Sequence, residues 1–357
     1  MLDLLYAQAA RWRRRAMERH PERRRHLARP VISVGNLSVG GTGKTPVVAA
    51  LARWLLEHGE RPAILSRGYR RRLEPPGVVV VSDGHRVRAT LDTAGDEPLM
   101  LARAVPGAVV CVCADRHLAG VLAERALGTT VHLLDDGFQH VGLARDLDVL
   151  VTTPGEITGG RVLPAGRLRE SPDAAARAHV LVLMGGTAGA AAAEGWALGV
   201  PQACGAVRAI GRPVRILAGA ADETETAVAL EAGAPVLAAC GIGNPDRFVS
   251  DLRAAGWQIA GTMPFRDHHR FSPRDVAAMH AELGRTRAQA VLTTDKDAVR
   301  FEAAGPIPFP LYRVPLDVTF EPPDALFASV AAMLAARSGR GRAPADADPA
   351  VAEGAGR

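Results

Sequence analysis

The segment Ser-Val-Gly-Gly-Thr-Gly-Lys-Thr at residues 38–45 has the composition of a loop that binds phosphate groups. Glycines in such a loop let consecutive backbone N–H groups surround the β-phosphate, a lysine neutralises charge on the β- and γ-oxygens, and a threonine hydroxyl coordinates Mg²⁺. The residues that would take these roles are Gly40, Gly41, Thr42, Gly43, Lys44 and Thr45. The spacing therefore predicts a site for a nucleoside triphosphate with Mg²⁺.

Two positions of this loop depart from known patterns. Ser38 stands where the pattern G-x-x-x-x-G-K-[ST] has its first glycine, and Val39 stands where the variant loop of membrane and partitioning ATPases has a lysine. A glycine-rich turn with a surface lysine is the structural alternative. The intact body of the loop, with Lys44 opening a helical pattern, favours phosphate binding because the positive end of a helix dipole attracts anions.

Two carboxylates close the apolar run Val-His-Leu-Leu-Asp-Asp, at Asp135 and Asp136. A carboxylate at the tip of a buried strand beside a phosphate-binding loop can hold Mg²⁺ directly or through water. The alternative is an aspartate pair that caps a turn before Gly137. Beside a phosphate-binding loop, the pair predicts part of a metal site.

The elements that must position these residues alternate between strands and helices. The β-branched run at residues 31–36, for example, is followed by a helical pattern at residues 45–59. Such alternation predicts an α/β fold of the P-loop NTPase type, with a mostly parallel sheet covered by helices on both faces. Ligands of these folds lie at the carboxyl ends of the strands.

The length and composition of the chain indicate a folded protein with more than one domain. At about 150 residues per domain, 357 residues suggest two domains, and 48% apolar with 23% charged residues exclude collagen-like, disulfide-scaffold and disordered classes. Four cysteines without metal-site spacing indicate a reduced cytosolic compartment. The predicted segments are an N-terminal amphipathic basic helix (1–29), a P-loop core (30–205), a connecting β-ribbon (206–235), a second, smaller α/β domain (236–336) and a disordered tail (337–357).

The positive charge of the chain is concentrated at its N-terminus. Residues 1–30 hold nine arginines against three acidic residues, whereas the whole chain has a net charge of +5. The apolar residues precede the arginines, the reverse of a secretory signal, so a retained helix is expected. It either lies on an anionic membrane surface or packs on its own domain with a solvated basic face. Nucleic-acid binding is not expected, because Tyr6 and Trp12 are the only aromatic residues there and no recognition motif follows.

Nine segments in consistent order resemble the tetraacyldisaccharide 4′-kinase family. They are NLSVGGTGKTP, SRGYRR, GDEP, ADRH, LLDDGFQH, LPAGRLRE, GIGNPDRF, FRDHHRF and TTDKDAVRF, between about residue 31 and residue 320. The resemblance implies transfer of phosphate from MgATP to the 4′-hydroxyl of a tetraacyldisaccharide 1-phosphate in lipid A biosynthesis. It further implies a P-loop domain with an appended lobe, acting at the cytoplasmic face of the inner membrane. No obligate protein partner is evident.

The resemblance also assigns roles to residues outside the loop. It implies that Asp96 is the catalytic carboxylate and that His268, rather than His269, is its partner. A helix N-cap and a structural loop histidine are the alternatives for these positions. The other implied positions are Arg116, Gln139 and His140 in the active site, Glu170 near the metal or nucleotide, and Asn36, Arg67 and Tyr69 in the acceptor pocket or on phosphate. Residues 293–297 either meet the nucleotide or form a loop ion pair.

A second class of function accounts for some of these features. A membrane-associated P-loop ATPase that acts as a switch through protein partners would explain the loop, the aspartates and the basic helix. It leaves the Gly-Asp-Glu-Pro segment at residues 95–98 and the Asp-His-His segment at residues 267–269 without a role. A kinase uses both.

Overall fold

The structure is a computed structural model that describes Met17, residues 19–69, 71–216, 230–231 and 233–340. Most of the predicted N-terminal helix and of the predicted tail lie outside the described residues, as do residues 217–229 of the predicted ribbon. The last helix continues through Arg340, into the segment 337–357 that was predicted to be disordered.

The strands and helices follow one another along the described chain as the alternation predicts. The strands are β1 (Val31–Gly35), β2 (Pro62–Ser66), β3 (Val79–Asp83), β4 (Val109–Val112), β5 (Val131–Asp135), β6 (Leu147–Thr152), β7 (Val180–Met184), β8 (Gln202–Ile210), β9 (Val214–Arg215), β10 (Pro235–Cys240), β11 (Gln258–Pro264), β12 (Ala290–Thr294), β13 (Leu311–Val314) and β14 (Leu316–Glu321). The helices are α1 (Lys44–Glu57), α2 (Leu91–Ala94), α3 (Asp96–Ala104), α4 (Arg116–Leu127), α5 (Ala188–Leu198), α6 (Pro245–Ala254), α7 (Pro273–Thr286), α8 (Asp295–Ala298) and α9 (Ala325–Arg340).

The large lobe is built on a nine-stranded sheet in the order β14-β8-β7-β6-β1-β5-β2-β4-β3. Only its edge pairs, β14 with β8 and β3 with β4, are antiparallel. The central strands β1, β5 and β6 are buried along their whole length, as expected for parallel strands with helices on both faces. The predicted α/β fold with a mostly parallel sheet is confirmed.

The small lobe is a five-stranded sheet in the order β11-β10-β12-β13-β9. It lies in the chain between β8 and β14, which pair with each other in the large sheet, Leu316 opposite Ile210. The chain therefore returns to the large lobe at residue 316, inside the range 236–336 predicted for the smaller domain. Edge pairing between strands so far apart in sequence leaves no local signal.

The register of the large sheet brings the predicted site together. Val34 of β1 is opposite Asp135 of β5, so the loop that follows β1 and the aspartates that end β5 emerge side by side. Among the described residues, no helix combines the length and the apolar character that crossing a bilayer demands. All four cysteines are buried and free.

Candidate active site

The phosphate-binding loop connects the buried strand β1 to helix α1. Gly43 caps the helix with φ 92°, in the left-handed region that favours glycine, and no side chain caps the first turn. Inside the loop, the Asn36 amide donates to the hydroxyl oxygens of Ser38 at 3.2 Å and Thr42 at 3.0 Å. The serine that replaces the usual first glycine is thus buried and hydrogen-bonded.

A second segment, residues 167–169, lies antiparallel to the start of this loop. The backbone N–H of Val39 donates to the carbonyl of Arg167 at 2.8 Å, and the Arg167 guanidinium donates to the carbonyl of Val39 at 2.9 Å. Gly40 has φ 117°, and a Cβ there would lie 2.2 Å from Nη2 of Arg167. Only glycine fits this conformation beside the arginine without displacement.

Lys44 lies at the centre of the site and is mostly buried. Its Nζ donates to Oδ1 of Asn36 at 3.0 Å and lies 3.4 Å from Oδ1 of Asp136. Arg169 binds the other oxygen of Asp136 at 2.9 Å. Burial raises the pKa of Asp136, but the positive charges of Lys44 and Arg169 outweigh burial and leave the pKa below its ordinary value. Asp136 is therefore an ionised carboxylate beside the predicted phosphate position.

Asp135 is buried at the end of β5, where the Ser66 hydroxyl donates to it at 3.4 Å. Burial, and then the negative charges of Glu97 and Asp136, raise its pKa to about 7. A nearby cation would stabilise the ionised form of a carboxylate in this environment.

The donor set of this corner fits Mg²⁺. Oδ1 of Asp136 is buried and meets Lys44 as an ion pair at 3.4 Å rather than in a hydrogen bond. Asp135 lies next to it, and Thr45 brings a hydroxyl in the first turn of α1. The described residues contain no cluster of three or more His, Cys, Asp or Glu arranged to ligate a metal. Mg²⁺ commonly binds with one or two carboxylates, substrate phosphates and water, which is what these oxygens allow.

Arg116 begins helix α4 with its side chain buried. Its Nη1 donates to the backbone carbonyls of Cys113 at 3.2 Å and Ala114 at 3.0 Å. Burial lowers the pKa of the guanidinium, the charge of Asp135 opposes this change, and the charge of Arg67 adds to it. The structure thus places Arg116 in electrostatic contact with the strand-end carboxylates.

His140 follows the same carboxylates by a short turn. Burial, and then the positive charges of Arg116 and Arg145, lower its pKa to about 4. Its Nε2 atom is buried and has no hydrogen-bond partner. The imidazole is therefore neutral at physiological pH.

Gln139 and Glu170 are fixed by protein partners. Gln139 donates to the carbonyl of Asn36 at 2.8 Å and accepts from Arg169 at 3.2 Å, which ties it to the loop. Glu170 forms a two-point ion pair with Arg177 at 3.0 and 2.8 Å. A metal or substrate role for either residue stays a prediction.

Arg67 and Tyr69 are exposed in the loop after β2, and 69% of Tyr69 is accessible to solvent. A Cβ at Gly95 would lie 3.0 Å from the carbonyl oxygen of Tyr69. The backbone of this loop therefore packs beside the start of α3, where Asp96 lies. Contact of these two residues with the acceptor stays a prediction.

Asp96 and His268 meet at the boundary between the lobes. Asp96 is in the first turn of α3, and His268 lies in the loop after β11 with φ 62°. Nδ1 of His268 donates to Oδ2 of Asp96 at 2.7 Å. Burial raises the pKa of Asp96, but hydrogen bonds from His268 and Arg300 outweigh burial and lower it to about 2.

Sequence reasoning missed Arg300, a fully buried residue that binds the same oxygen of Asp96. The signal was present in the motif TTDKDAVRF, where Arg300 follows Asp297 by three residues and pairs with it at 2.7 Å. Residues 293–297 do form ion pairs: Asp295 binds Arg313 at 2.9 Å, and Lys296 lies 3.6 Å from Glu97.

A glycine-rich loop between a buried parallel strand and a helix, next to strand-end aspartates, defines a P-loop nucleotide-binding protein. The Asp96–His268 pair supplies a carboxylate that can take a proton from a hydroxyl acceptor, as a phosphotransferase requires.

Comparison with known proteins identifies the family. Residues 1–335 match the family described as Tetraacyldisaccharide-1-P 4′-kinase. The chain is 42% identical to the tetraacyldisaccharide 4′-kinase of Geobacter metallireducens, over 86% of this chain and 88% of that one. It is 40% identical to that of Geobacter sulfurreducens, over 88% and 86%. The crystal structure of LpxK from Aquifex aeolicus in complex with ATP is similar with a TM-score of 0.74 at 29% identity, over 93% and 97% of the chains. The chain belongs to the tetraacyldisaccharide 4′-kinase family.

Proposed function

We propose that this protein transfers the γ-phosphoryl group of ATP to the 4′-hydroxyl of a tetraacyldisaccharide 1-phosphate in lipid A biosynthesis. The observation that carries the proposal is the 2.7 Å hydrogen bond between Asp96 and His268, in a chain of the tetraacyldisaccharide 4′-kinase family. An ATPase switch would need the phosphate loop and the aspartates but has no use for a carboxylate held ready by a histidine. The kinase is therefore favoured over the switch.

Nucleotide binding is assigned to the loop of residues 38–45 and to Lys44. The uncapped first turn of α1 presents backbone N–H groups toward an anion. Lys44 is held by Asn36 and Asp136 and would exchange these contacts for β- and γ-oxygens of the triphosphate. The side chain of Arg116 is already buried and ordered. Little free energy is therefore spent on ordering it when it compensates charge that develops on the transferred group.

Thr45, Asp135 and Asp136 are the residues proposed to hold Mg²⁺, with Glu170 as a more distant candidate. When bound, the ion would neutralise charge on the β- and γ-phosphate oxygens. Lys44 and Arg169 keep Asp136 ionised for this purpose. Because burial raises the pKa of Asp135 to about 7, a bound cation would favour its deprotonated form.

Proton transfer is assigned to Asp96. A bond forms between the 4′-oxygen and the γ-phosphorus, the bond from that phosphorus to the β–γ bridging oxygen breaks, and ADP leaves. The hydroxyl proton passes to the carboxylate of Asp96. Because the pKa of Asp96 is only about 2, Asp96 orients the hydroxyl at first and takes its proton late, when bond formation to phosphorus has acidified it.

Access for a lipid acceptor is proposed from the cytoplasmic face of the inner membrane. Tyr69 and Leu73, 69% and 55% exposed, lie on the loop that packs beside Asp96. These side chains support contact with acyl chains or with the membrane interface. Arginines of the first 30 residues would add attraction to anionic headgroups, about 1 kcal/mol each near the surface.

The test is incubation of the purified protein with MgATP and the disaccharide 1-phosphate lipid, followed by mass spectrometry of the lipid. The expected product carries one additional phosphate, located at the 4′ position by fragmentation. ATP hydrolysis without a phosphorylated lipid would favour the switch and reject the kinase.

A further inference from the structure

Arg300 is a fully buried arginine that connects the two lobes. It lies in the 3-10 helix Val299–Ala304 that follows α8 in the small lobe. Its Nη1 donates to the carbonyl of Gly241 and to Oδ1 of Asp297, both at 2.7 Å. Its Nε and Nη2 donate to Oδ2 of Asp96 at 3.0 and 2.5 Å.

This geometry uses the shape of the guanidinium group. A planar fork with five N–H donors can hold several acceptors in a fixed relation, which a lysine ammonium cannot. Two acceptors, Gly241 and Asp297, belong to the small lobe and fix the arginine there. The third, Asp96, belongs to helix α3 of the large lobe and is thereby held against the small lobe.

The carboxylate of Asp96 is bound on one side only. Among the described residues, the hydrogen bonds to this carboxylate, from His268 and from Arg300, all end on Oδ2. Oδ1 is the oxygen left to accept a proton. The Nη2 atom of Arg300 also lies 3.2 Å from Nδ1 of His268, so histidine and arginine converge on a single oxygen.

We propose that Arg300 is a positioning residue for the phosphoryl transfer: it locks Oδ2 of Asp96 to the small lobe and so presents Oδ1 to the acceptor hydroxyl. This inference rests on the proposed function, because it assigns Arg300 a part in the same reaction. Arg300 itself touches neither nucleotide nor acceptor in this assignment, and acts through Asp96.

A second effect follows from charge. His268 and Arg300 together lower the pKa of Asp96, so removing the guanidinium should raise that pKa. The surrounding charges are those of Asp267, 3.7 Å from Nε2 of His268, Asp297, which shares Arg300, and the pair Lys296–Glu97 next to Asp96.

The experiment measures kcat and KM for ATP in transfer to the disaccharide 1-phosphate lipid for the wild type, Arg300→Met and Arg300→Lys. In Arg300→Met, kcat is expected to fall about 100-fold, the typical cost of a misplaced catalytic group, while KM for ATP stays unchanged. An unchanged kcat, or a KM for ATP that rises as much as kcat falls, would overturn the proposal.

The matched control is Arg270→Met. Arg270 also joins the lobes, through an ion pair with Asp92 at 2.6 Å, but it does not bind Asp96. It should keep the wild-type kcat. If Arg270→Met lowers kcat as much as Arg300→Met does, lobe contact in general is responsible and the specific role of Arg300 is rejected.

Two further variants guard against misfolding and mistaken assignment. Arg300→Lys keeps the positive charge but has one nitrogen instead of the planar fork, so kcat should still fall about 10-fold. Wild-type kcat in a folded Arg300→Lys would contradict the proposal even if Arg300→Met does not fold. In an Asp96→Asn background, Arg300→Met should cost almost nothing more, since both act through one group, and full additivity would reject it. If the wild-type chain shows no transfer at all, the proposed function is rejected instead.

Discussion

Nδ1 of His268 lies 2.7 Å from Oδ2 of Asp96, although the two residues are 172 positions apart in the sequence. One comes from a loop of the small lobe and the other from the first turn of a helix in the large lobe. Their contact exists only while the lobes are packed together. The proton acceptor of the proposed reaction is therefore assembled by the tertiary structure, and its replacement should affect catalysis more than nucleotide binding.

Asp96→Asn tests this carboxylate. The variant keeps the shape of the side chain but cannot accept the hydroxyl proton, so kcat should fall about 10² to 10⁴-fold. KM for ATP should change little, because Asp96 is not among the phosphate-loop residues. Steady-state transfer assays at varied ATP give both parameters. Wild-type turnover in Asp96→Asn would reject its role as base.

Lys44→Ala tests the phosphate-binding loop. The mostly buried Nζ of Lys44 is held by Asn36 and Asp136. It is the positive charge in the first turn of α1, where the phosphate groups are predicted to bind. Its removal should reduce kcat by about 10³-fold or more while circular dichroism shows a folded chain. Arg285→Ala, at an exposed helix position, is the control for loss of a cation alone. Full activity in Lys44→Ala would refute the loop assignment.

Gly40→Ala and Gly41→Ala separate the cost of backbone strain from the effect of merely replacing a glycine of the loop. Gly40 has φ 117°, and its Cβ would lie 2.2 Å from Arg167, whereas a Cβ at Gly41 meets nothing within 4 Å. Gly40→Ala should lower the free energy of unfolding by about 1 to 3 kcal/mol, and Gly41→Ala should leave it nearly unchanged. Urea unfolding without nucleotide measures both. Equal stabilities would show that the loop adopts a different conformation.

His140 predicts a pH-dependent loss of stability. Its pKa is about 4 in the folded chain against an ordinary 6.5, so the unfolded chain binds a proton between these values that the folded chain does not. The free energy of unfolding should therefore fall as pH decreases from 6.5 to 4. His140→Gln should make this fall shallower in thermal melts, and His85→Gln, at an exposed position, should not. Parallel curves for all three proteins would contradict the assignment.

Membrane association is expected to depend on the N-terminal residues. A truncated chain that lacks residues 1–28 loses most of the arginines of the basic segment, so it should sediment less with vesicles containing anionic lipid. Binding of the full chain should weaken as salt increases, because screening reduces attraction to the surface. Complete sedimentation of the truncated chain would show that another surface mediates binding.

Local patterns predicted much of the fold. The loop at residues 38–45 is contiguous, and its conformation follows from its own glycines and from the strand and helix that flank it. The alternation of apolar runs likewise predicted a mostly parallel sheet, since each run is long enough for only one element. The domain boundaries at residues 235 and 336 were harder to predict from the sequence. The pairing of β14 with β8 brings together strands that local patterns cannot relate.

The sequence by itself determined the phosphate-binding loop, the aspartates at the end of β5 and the α/β class, because contiguous residues create each of these features. Resemblance to a family, rather than periodicity, pointed to Asp96 and His268. Only the tertiary structure decided that His268 and Arg300, the latter 204 positions from Asp96, both bind one oxygen of Asp96. Contacts at such separation depend on how the two lobes pack against each other, and the free energy of that packing is distributed over many residues of both lobes.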